Sequence, residues 1–116
     1  ADIYSHMGAC QTDLGQYEPA IETCKQGLAI DEQRPDMYNT MGVCHFMLKA
    51  HQDAIVSFER AVEIDPSIAI NYANIGSNYR ELGDKKLAVQ YYEMALEIDP
   101  TIEFARENIK KLSEAE

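Results

Sequence analysis

The chain has 116 residues, of which 20 are acidic and 10 basic, and its formal net charge is −10 at pH 7. This charge argues against nucleic acid and anionic membranes as partners. It would attract a basic segment of another protein, although acidity alone more often only keeps a domain soluble. No run of about 18 apolar residues is present, so no membrane-spanning segment is predicted.

The sequence repeats itself with a period of 34 residues. A fixed period of this size predicts an array of one supersecondary unit, and such arrays offer binding surfaces more often than catalytic pockets. We predict units at 1–34, 35–68 and 69–102, followed by a capping helix at 103–116, all within one domain. The period is visible in recurring residues at Tyr38 and Tyr72, at Gly8, Gly42 and Gly76, and at Ala20, Ala54 and Ala88.

The first unit, residues 1–34, is predicted to form two helices, but it diverges most from the others. It has Gln11, Cys24 and Gly27 at inner positions, and Glu32 where the later units have proline. Pro19 is compatible with the second helix because it lies in the first turn, where its missing N–H has no helical partner.

The second unit, residues 35–68, begins with Pro35, which suits a first helical turn. Ser67 is predicted to cap the helix that follows. The turn between its two helices contains Lys49, where the neighbouring units have Gly15 and Gly83. A lysine there must adopt a different turn or accept backbone strain, so we expect this turn to be less tightly specified.

The third unit has apolar residues at three- and four-residue intervals over 70–82, which indicates one buried helical face. Gly83 ends this helix, and a second helix is predicted from about Lys86 to Ile98, ended by Pro100. Thr101 is predicted to cap the next helix. That last helix, over 103–115, has one apolar stripe and is otherwise polar, as expected of a helix that covers the open end of an array.

These residues resemble the tetratricopeptide repeat family over the whole chain. The third unit carries the family pattern in full, and the second departs from it at His45. The resemblance implies an all-α fold, an α-solenoid in a right-handed superhelix of three helix-turn-helix repeats plus a C-terminal capping helix. The matching residues are Tyr4, Met7, Gly8, Gly15, Tyr17 and Ala20; Tyr38, Met41, Gly42, Ala54, Phe58, Ala61 and Pro66; and Tyr72, Ile75, Gly76, Tyr79, Ala88, Tyr92, Ala95 and Pro100.

The resemblance also implies a scaffold that binds an extended peptide or a helix of a partner protein along the concave face lined by the first helices. An apolar centre on this face favours a contact surface, and its asparagines offer both donors and acceptors to a peptide backbone. The alternative is that packing between repeats buries Phe46 and Met47. Transferred position by position, the predicted groove comprises Asn39, Val43, Phe46, Met47, Ile70, Ala73, Asn74, Ser77 and Arg80.

The best-known groove of this family clamps a C-terminal carboxylate with lysines, asparagines and an arginine. At the corresponding positions this chain has Ser5, Ala9, Thr40, Ile70 and Asn74. Since the cations are missing, a chaperone-tail clamp is disfavoured. Arg80 is the predicted anion contact, unless it pairs with its neighbour Glu81.

Catalysis is the main competing class of function, and the sequence does not favour it. It contains no Gly-x-Ser-x-Gly, no phosphate-binding glycine loop and no His-Glu-x-x-His motif. None of His6, His45 and His51 has a nucleophile at a motif spacing. We therefore predict a non-enzyme without catalytic residues, cofactor or metal site, although it could serve as the interaction domain of a larger enzyme.

The cysteines Cys10, Cys24 and Cys44 are few, odd in number and without a Cys-x-x-Cys motif. We interpret them as small buried thiols in a reducing compartment, which predicts a cytoplasmic protein. The sequence begins without an initiator methionine at the first position of a unit, so we interpret it as part of a longer chain.

Self-assembly is a third class of function. The predicted inner face of the first helix has Ile3, Met7 and Cys10, which an array cut at this point leaves uncovered. Stacked repeats can join through such faces. The predicted cap argues against open-ended growth, which leaves a homodimer through the N-terminal end as the alternative.

Overall fold

The computed structural model describes residues 2–114, which form seven helices and no strand. Three-residue turns join the helices into the hairpins α1–α2, α3–α4 and α5–α6, and α7 packs on α6. An all-α solenoid is thereby confirmed, whereas the boundaries of the individual repeats stay predictions. The helices are α1 (Asp2–Asp13), α2 (Tyr17–Ile30), α3 (Pro35–Met47), α4 (His51–Ile64), α5 (Ala69–Glu81), α6 (Lys85–Ile98) and α7 (Glu103–Glu114).

The hairpins stack in sequence order along a body of 44 × 26 × 20 Å. Each second helix packs on the next first helix, and the first helices also contact one another, α1 with α3 and α3 with α5. Within residues 2–114 the second helices make no comparable contact with each other. The first helices are therefore the more crowded side, which makes theirs the concave face. None of the helices in this range combines the length and apolarity that crossing a bilayer requires.

Small residues allow the two helices of a hairpin to approach closely. Gly42 faces the buried ring of Phe58, and a Cβ placed on Gly42 would lie 2.7 Å from that ring. Gly76 occupies the same position against Tyr92, which is fully buried. The aromatic rings fill the space that the glycines leave, as the sequence pattern predicts.

The turn at Lys49 has the same hydrogen bonds as the glycine turns. The Lys49 N–H donates to the carbonyl of Phe46 at 3.0 Å, and the Ala50 N–H donates to that of His45 at 2.8 Å. The turn at Gly83 has the equivalent pair of bonds. Lys49 has a φ of 63°, so the chain accepts the backbone strain and does not change the turn.

The predicted capping roles of Ser67 and Thr101 are wrong. The Ser67 hydroxyl donates to Asp65 at 2.6 Å, and the Thr101 hydroxyl donates to Asp99 at 2.6 Å. In both cases an aspartate two residues earlier is a charged acceptor within reach, and it also takes the backbone N–H of the same residue. The N-cap of α5 is Ile68, without a side-chain cap.

Candidate peptide-binding groove

A cavity of about 160 Å³ lies on the concave side, between α3, α4 and α5. Its walls come from both helices of one hairpin and from the first helix of the next, so it exists only because the hairpins stack. The lining is mostly apolar, with three small polar side chains on the α5 side. The residues that line it are Val43, Phe46, Phe58, Asn74, Ser77 and Asn78.

The apolar side of the groove continues beyond the cavity. Phe46 and Val43 are half-buried, and the Phe46 ring meets the His51 ring edge-on at a centroid distance of 5.3 Å. Met47 is 50% exposed and Ile70 is 39% exposed. Packing therefore covers part of Phe46 but leaves Met47 accessible, so an apolar surface remains at this side.

Two buried asparagines shape the polar side of the groove. Asn78 donates from Nδ2 to the carbonyl of Asn74 at 2.8 Å, and its Oδ1 lies 2.9 Å from His51 Nδ1. Asn39 donates to the side-chain oxygen of Asn71, which is fully buried. The side chain of Asn39 is thus partly engaged, whereas that of Asn74 has no hydrogen bond to any described residue.

Asn71 and Asn78 were not among the predicted site residues. They stand where the second unit has Met37 and Cys44, one period of 34 residues earlier. This exchange of apolar for amide side chains is the sequence feature that could have identified them as site residues. Asn71 Nδ2 is buried without a hydrogen-bond partner in the described part of the chain, so its amide is a polar group inside the wall.

Two predicted groove residues lie deeper than expected. Ala73 is fully buried and packs in the core cluster that contains Tyr92, so its side chain belongs to the core and not to the groove surface. Ser77 is also buried, although it lines the cavity, and its hydroxyl shares a hydrogen bond of 2.8 Å with the Tyr92 hydroxyl. The close approach of α5 to α6 at Gly76 draws both residues inward.

Arg80 makes local contacts. Its Nε and Nη2 donate to Glu81 at 3.2 and 3.0 Å, and its Nη1 donates to Asn108 on α7 at 2.6 Å. The guanidinium therefore pairs with its neighbour and ties the last helix to α5. This is the local pairing that the sequence left open, and it reduces the capacity of Arg80 to bind an anion.

A charged carboxylate, that of Asp36, lies in the first turn of α3, outside the lining of the cavity. Burial acts to raise the pKa of Asp36, but hydrogen bonds from Arg34 and from the Ser5 hydroxyl outweigh it and lower that pKa. The Ser5 hydroxyl donates to Asp36 at 2.9 Å, which joins α1 to α3. Asp36 is consequently ionised at neutral pH.

The cysteines do not share one environment. Cys24 and Cys44 are buried, and burial raises the pKa of Cys24 to about 11, so its thiol stays protonated. Cys10 is exposed on α1, so the prediction that it is buried is wrong. Ile3 and Met7 on the same helix are exposed as well, because no helix within residues 2–114 packs against this side of α1. Within residues 2–114, no three His, Cys, Asp or Glu side chains are grouped as a metal site requires.

The chain belongs to the tetratricopeptide repeat family. A tetratricopeptide repeat model matches residues 33–101, and a second tetratricopeptide repeat model matches residues 1–34. The resemblance inferred from the recurring residues is therefore confirmed. No match was found among curated proteins.

Solved structures of similar fold cover nearly the whole chain. The crystal structure of MamA is 26% identical, with a TM-score of 0.94, and the alignment covers 98% of this chain and 67% of that one. The first repeat domain of Spaghetti (RPAP3), bound to the HSP90 peptide SRMEEVD, is 25% identical with a TM-score of 0.93, covering 97% and 90%. The OM64 repeat domain from Arabidopsis, 18% identical with a TM-score of 0.95 and coverage of 99% and 95%, shares the fold alone.

Proposed function

We propose that this chain is a protein-interaction scaffold that holds an extended peptide or a helix of a partner protein in its concave groove. The observation that carries the proposal is the apolar cavity of about 160 Å³ between α3, α4 and α5. Accessible apolar side chains around a cavity are typical of a contact surface. The similarity to a repeat domain with a bound peptide supports the same conclusion.

Each side of the groove has a separate role in the proposed complex. Phe46 and Val43 form the wall that receives an apolar side chain of the peptide, with Met47 and Ile70 extending the contact at its rim. Asn74 holds the peptide main chain, since its side-chain amide offers a donor and an acceptor.

The charge of the groove favours a particular kind of peptide. The HSP90 peptide bound by Spaghetti ends in the acidic sequence EEVD. In this chain the Arg80 guanidinium is engaged by Glu81 and Asn108, and the ionised Asp36 is itself paired with Arg34. Together with a net charge of −10, this arrangement favours an apolar peptide with basic flanks over an acidic C-terminal tail.

The test uses uncharged variants that remove apolar contact area without disturbing the core. Met47→Gln with Ile70→Gln should weaken partner capture at least about tenfold, which is the change that 1.4 kcal/mol represents. The matched control is Val56→Gln, because Val56 is 58% exposed on α4. Captured segments are identified by crosslinking and mass spectrometry, then measured as synthetic peptides.

Two results would contradict the proposal. One is equal capture by the groove variant and the Val56→Gln control, because the partner would then bind elsewhere. The other is tight binding of SRMEEVD, since the proposed groove lacks a free cation for its carboxylates. Crosslinks from a basic peptide to α3 and α5 would support the proposal.

The proposed activity is binding without chemistry, and it is compatible with a role as the interaction domain of a larger enzyme. Turnover by this chain alone would contradict the proposal. The proposed location is the cytoplasm, because Cys24 and Cys44 are free buried thiols of the kind found in reducing compartments.

A further inference from the structure

An exposed stripe lies along the side of α1 that faces away from α2 and α3, and it is separate from the groove. Its members are spaced by three or four positions, so they lie on one side of the helix. Ile3 is 74% exposed and Leu14 is 73% exposed, although both are large and apolar. A histidine and a cysteine lie between them on the same side. The stripe consists of Ile3, His6, Met7 and Cys10 on α1 and of Leu14 in the turn directly after it.

His6 and Cys10 are one helical turn apart, and both are exposed. The Cys10 sulfur lies 3.7 Å from His6 Nε2. Zinc bonds of about 2.3 Å to sulfur and about 2.05 Å to nitrogen, at a tetrahedral angle, place the two ligand atoms about 3.6 Å apart. The pair is thus already at the separation that two ligands of one zinc ion require.

We propose that His6 and Cys10 from two copies of this chain bind one Zn²⁺ and join the copies through α1. One chain supplies only two ligands, and within residues 2–114 no further His, Cys, Asp or Glu completes the set. A twofold contact brings two identical pairs together. The result is a four-ligand set of two thiolates and two imidazoles, which is a common structural zinc site.

The surroundings of the pair support a cation shared by two copies. α1 carries Asp13 but no lysine or arginine, so two copies of this helix repel each other without a cation. A zinc ion offsets that repulsion. Ile3, Met7 and Leu14 then supply apolar contact around the metal and cover the face that this chain leaves exposed.

The other thiols do not compete for the metal. Cys24 and Cys44 are buried in the core between α2 and α3, and burial raises the pKa of both. A zinc-bound sulfur in this chain is therefore that of Cys10. The dimer site is also independent of the peptide groove, so failure of one proposal leaves the other intact.

The test is a zinc titration of the whole chain in the presence of a phosphine reductant, followed by light scattering. The expected result is a rise in mass from 13.1 kDa to twice that value. The end point should come at one Zn²⁺ per two chains, and EDTA should reverse it. With Co²⁺ in place of zinc, a thiolate-to-metal charge-transfer band should appear.

Variants identify the ligands. Cys10→Ser and His6→Gln should each abolish the zinc-induced doubling, and Cys10→Ser should also abolish the cobalt band. Val56→Gln on α4 should retain both, and circular dichroism verifies that every variant is folded. The proposal is overturned by no zinc binding, by one zinc per monomer, by a dimer that survives EDTA, or by doubling in the Cys10→Ser variant.

Discussion

Lys49 should be replaceable by glycine with a gain in stability. It has a φ of 63°, and Gly15 and Gly83 occupy the equivalent turns with φ of 77° and 85°. A Cβ at either glycine would have no atom within 4 Å, so the penalty at this position is one of backbone conformation and not of packing.

The expected magnitude follows from two opposing terms. A left-handed conformation costs an L-residue about 1–2 kcal/mol, and glycine at this position removes that cost. The greater conformational freedom of glycine in the unfolded chain offsets about 0.4–1 kcal/mol of this gain. The net stabilisation of Lys49→Gly is therefore about 1 kcal/mol. With an unfolding entropy of about 2.1 cal/mol/K per residue, this raises the Tm of a chain of 116 residues by about 4 °C.

The assay is thermal and urea unfolding followed by circular dichroism, with Lys49→Ala as the matched control. Alanine removes the charge and the long side chain but keeps the Cβ, so it keeps the strain. Lys49→Gly should be more stable than both the parent and Lys49→Ala. Equal stability of the glycine and alanine variants would refute the assignment of strain to this turn.

Two further predictions concern packing and pH. Gly42→Ala should destabilise the fold by about 1–2 kcal/mol in urea unfolding, because overpacking against the Phe58 ring at 2.7 Å outweighs the helix propensity of alanine. Gly8→Ala should be near neutral, since its closest contact is the Cys24 sulfur at 3.2 Å, and equal losses at the two glycines would contradict the packing argument. Burial lowers the pKa of His45 below its usual 6.5, with a smaller opposing effect of a nearby carboxylate. The folded state thus favours the neutral imidazole of His45. The unfolding free energy that this preference contributes is present above pH 6.5 and is lost as the pH falls from there through the pKa of His45 in the folded state. His45→Tyr, which restores the family aromatic, should lose less unfolding free energy between pH 7.5 and 5.5 than the parent; an equal loss would contradict this role.

Most of the helical architecture could be predicted from the sequence, because period and helix-ending residues act locally. The apolar spacing over 70–82 located α5 to within one residue, and Pro100 correctly ended α6. The caps were predicted less well. The hydroxyl of Ser67 or Thr101 can accept a hydrogen bond from a helix N–H as a cap, or it can donate one to a nearby acceptor. The aspartate two residues earlier decides in favour of donation.

The candidate site was harder to predict, because exposure depends on residues far away in sequence. Val43 lines the cavity and Met47 and Ile70 are exposed, but Ala73 is enclosed where α5 approaches α6. Arg80 is engaged by Asn108, which is 28 residues further along the chain. No local pattern contains that contact.

The sequence by itself determined that helical hairpins of one kind follow each other, since its 34-residue period fixes where helices begin, end and bury a face. The tertiary structure decided which side chains remain accessible. The stacked hairpins bring their first helices together on one side of the array. The cavity beside Phe46 lies on this side, and Asn71 and Asn78 are buried there. The stacking also leaves Cys10 and His6 exposed side by side, because no other helix of residues 2–114 packs against that side of α1.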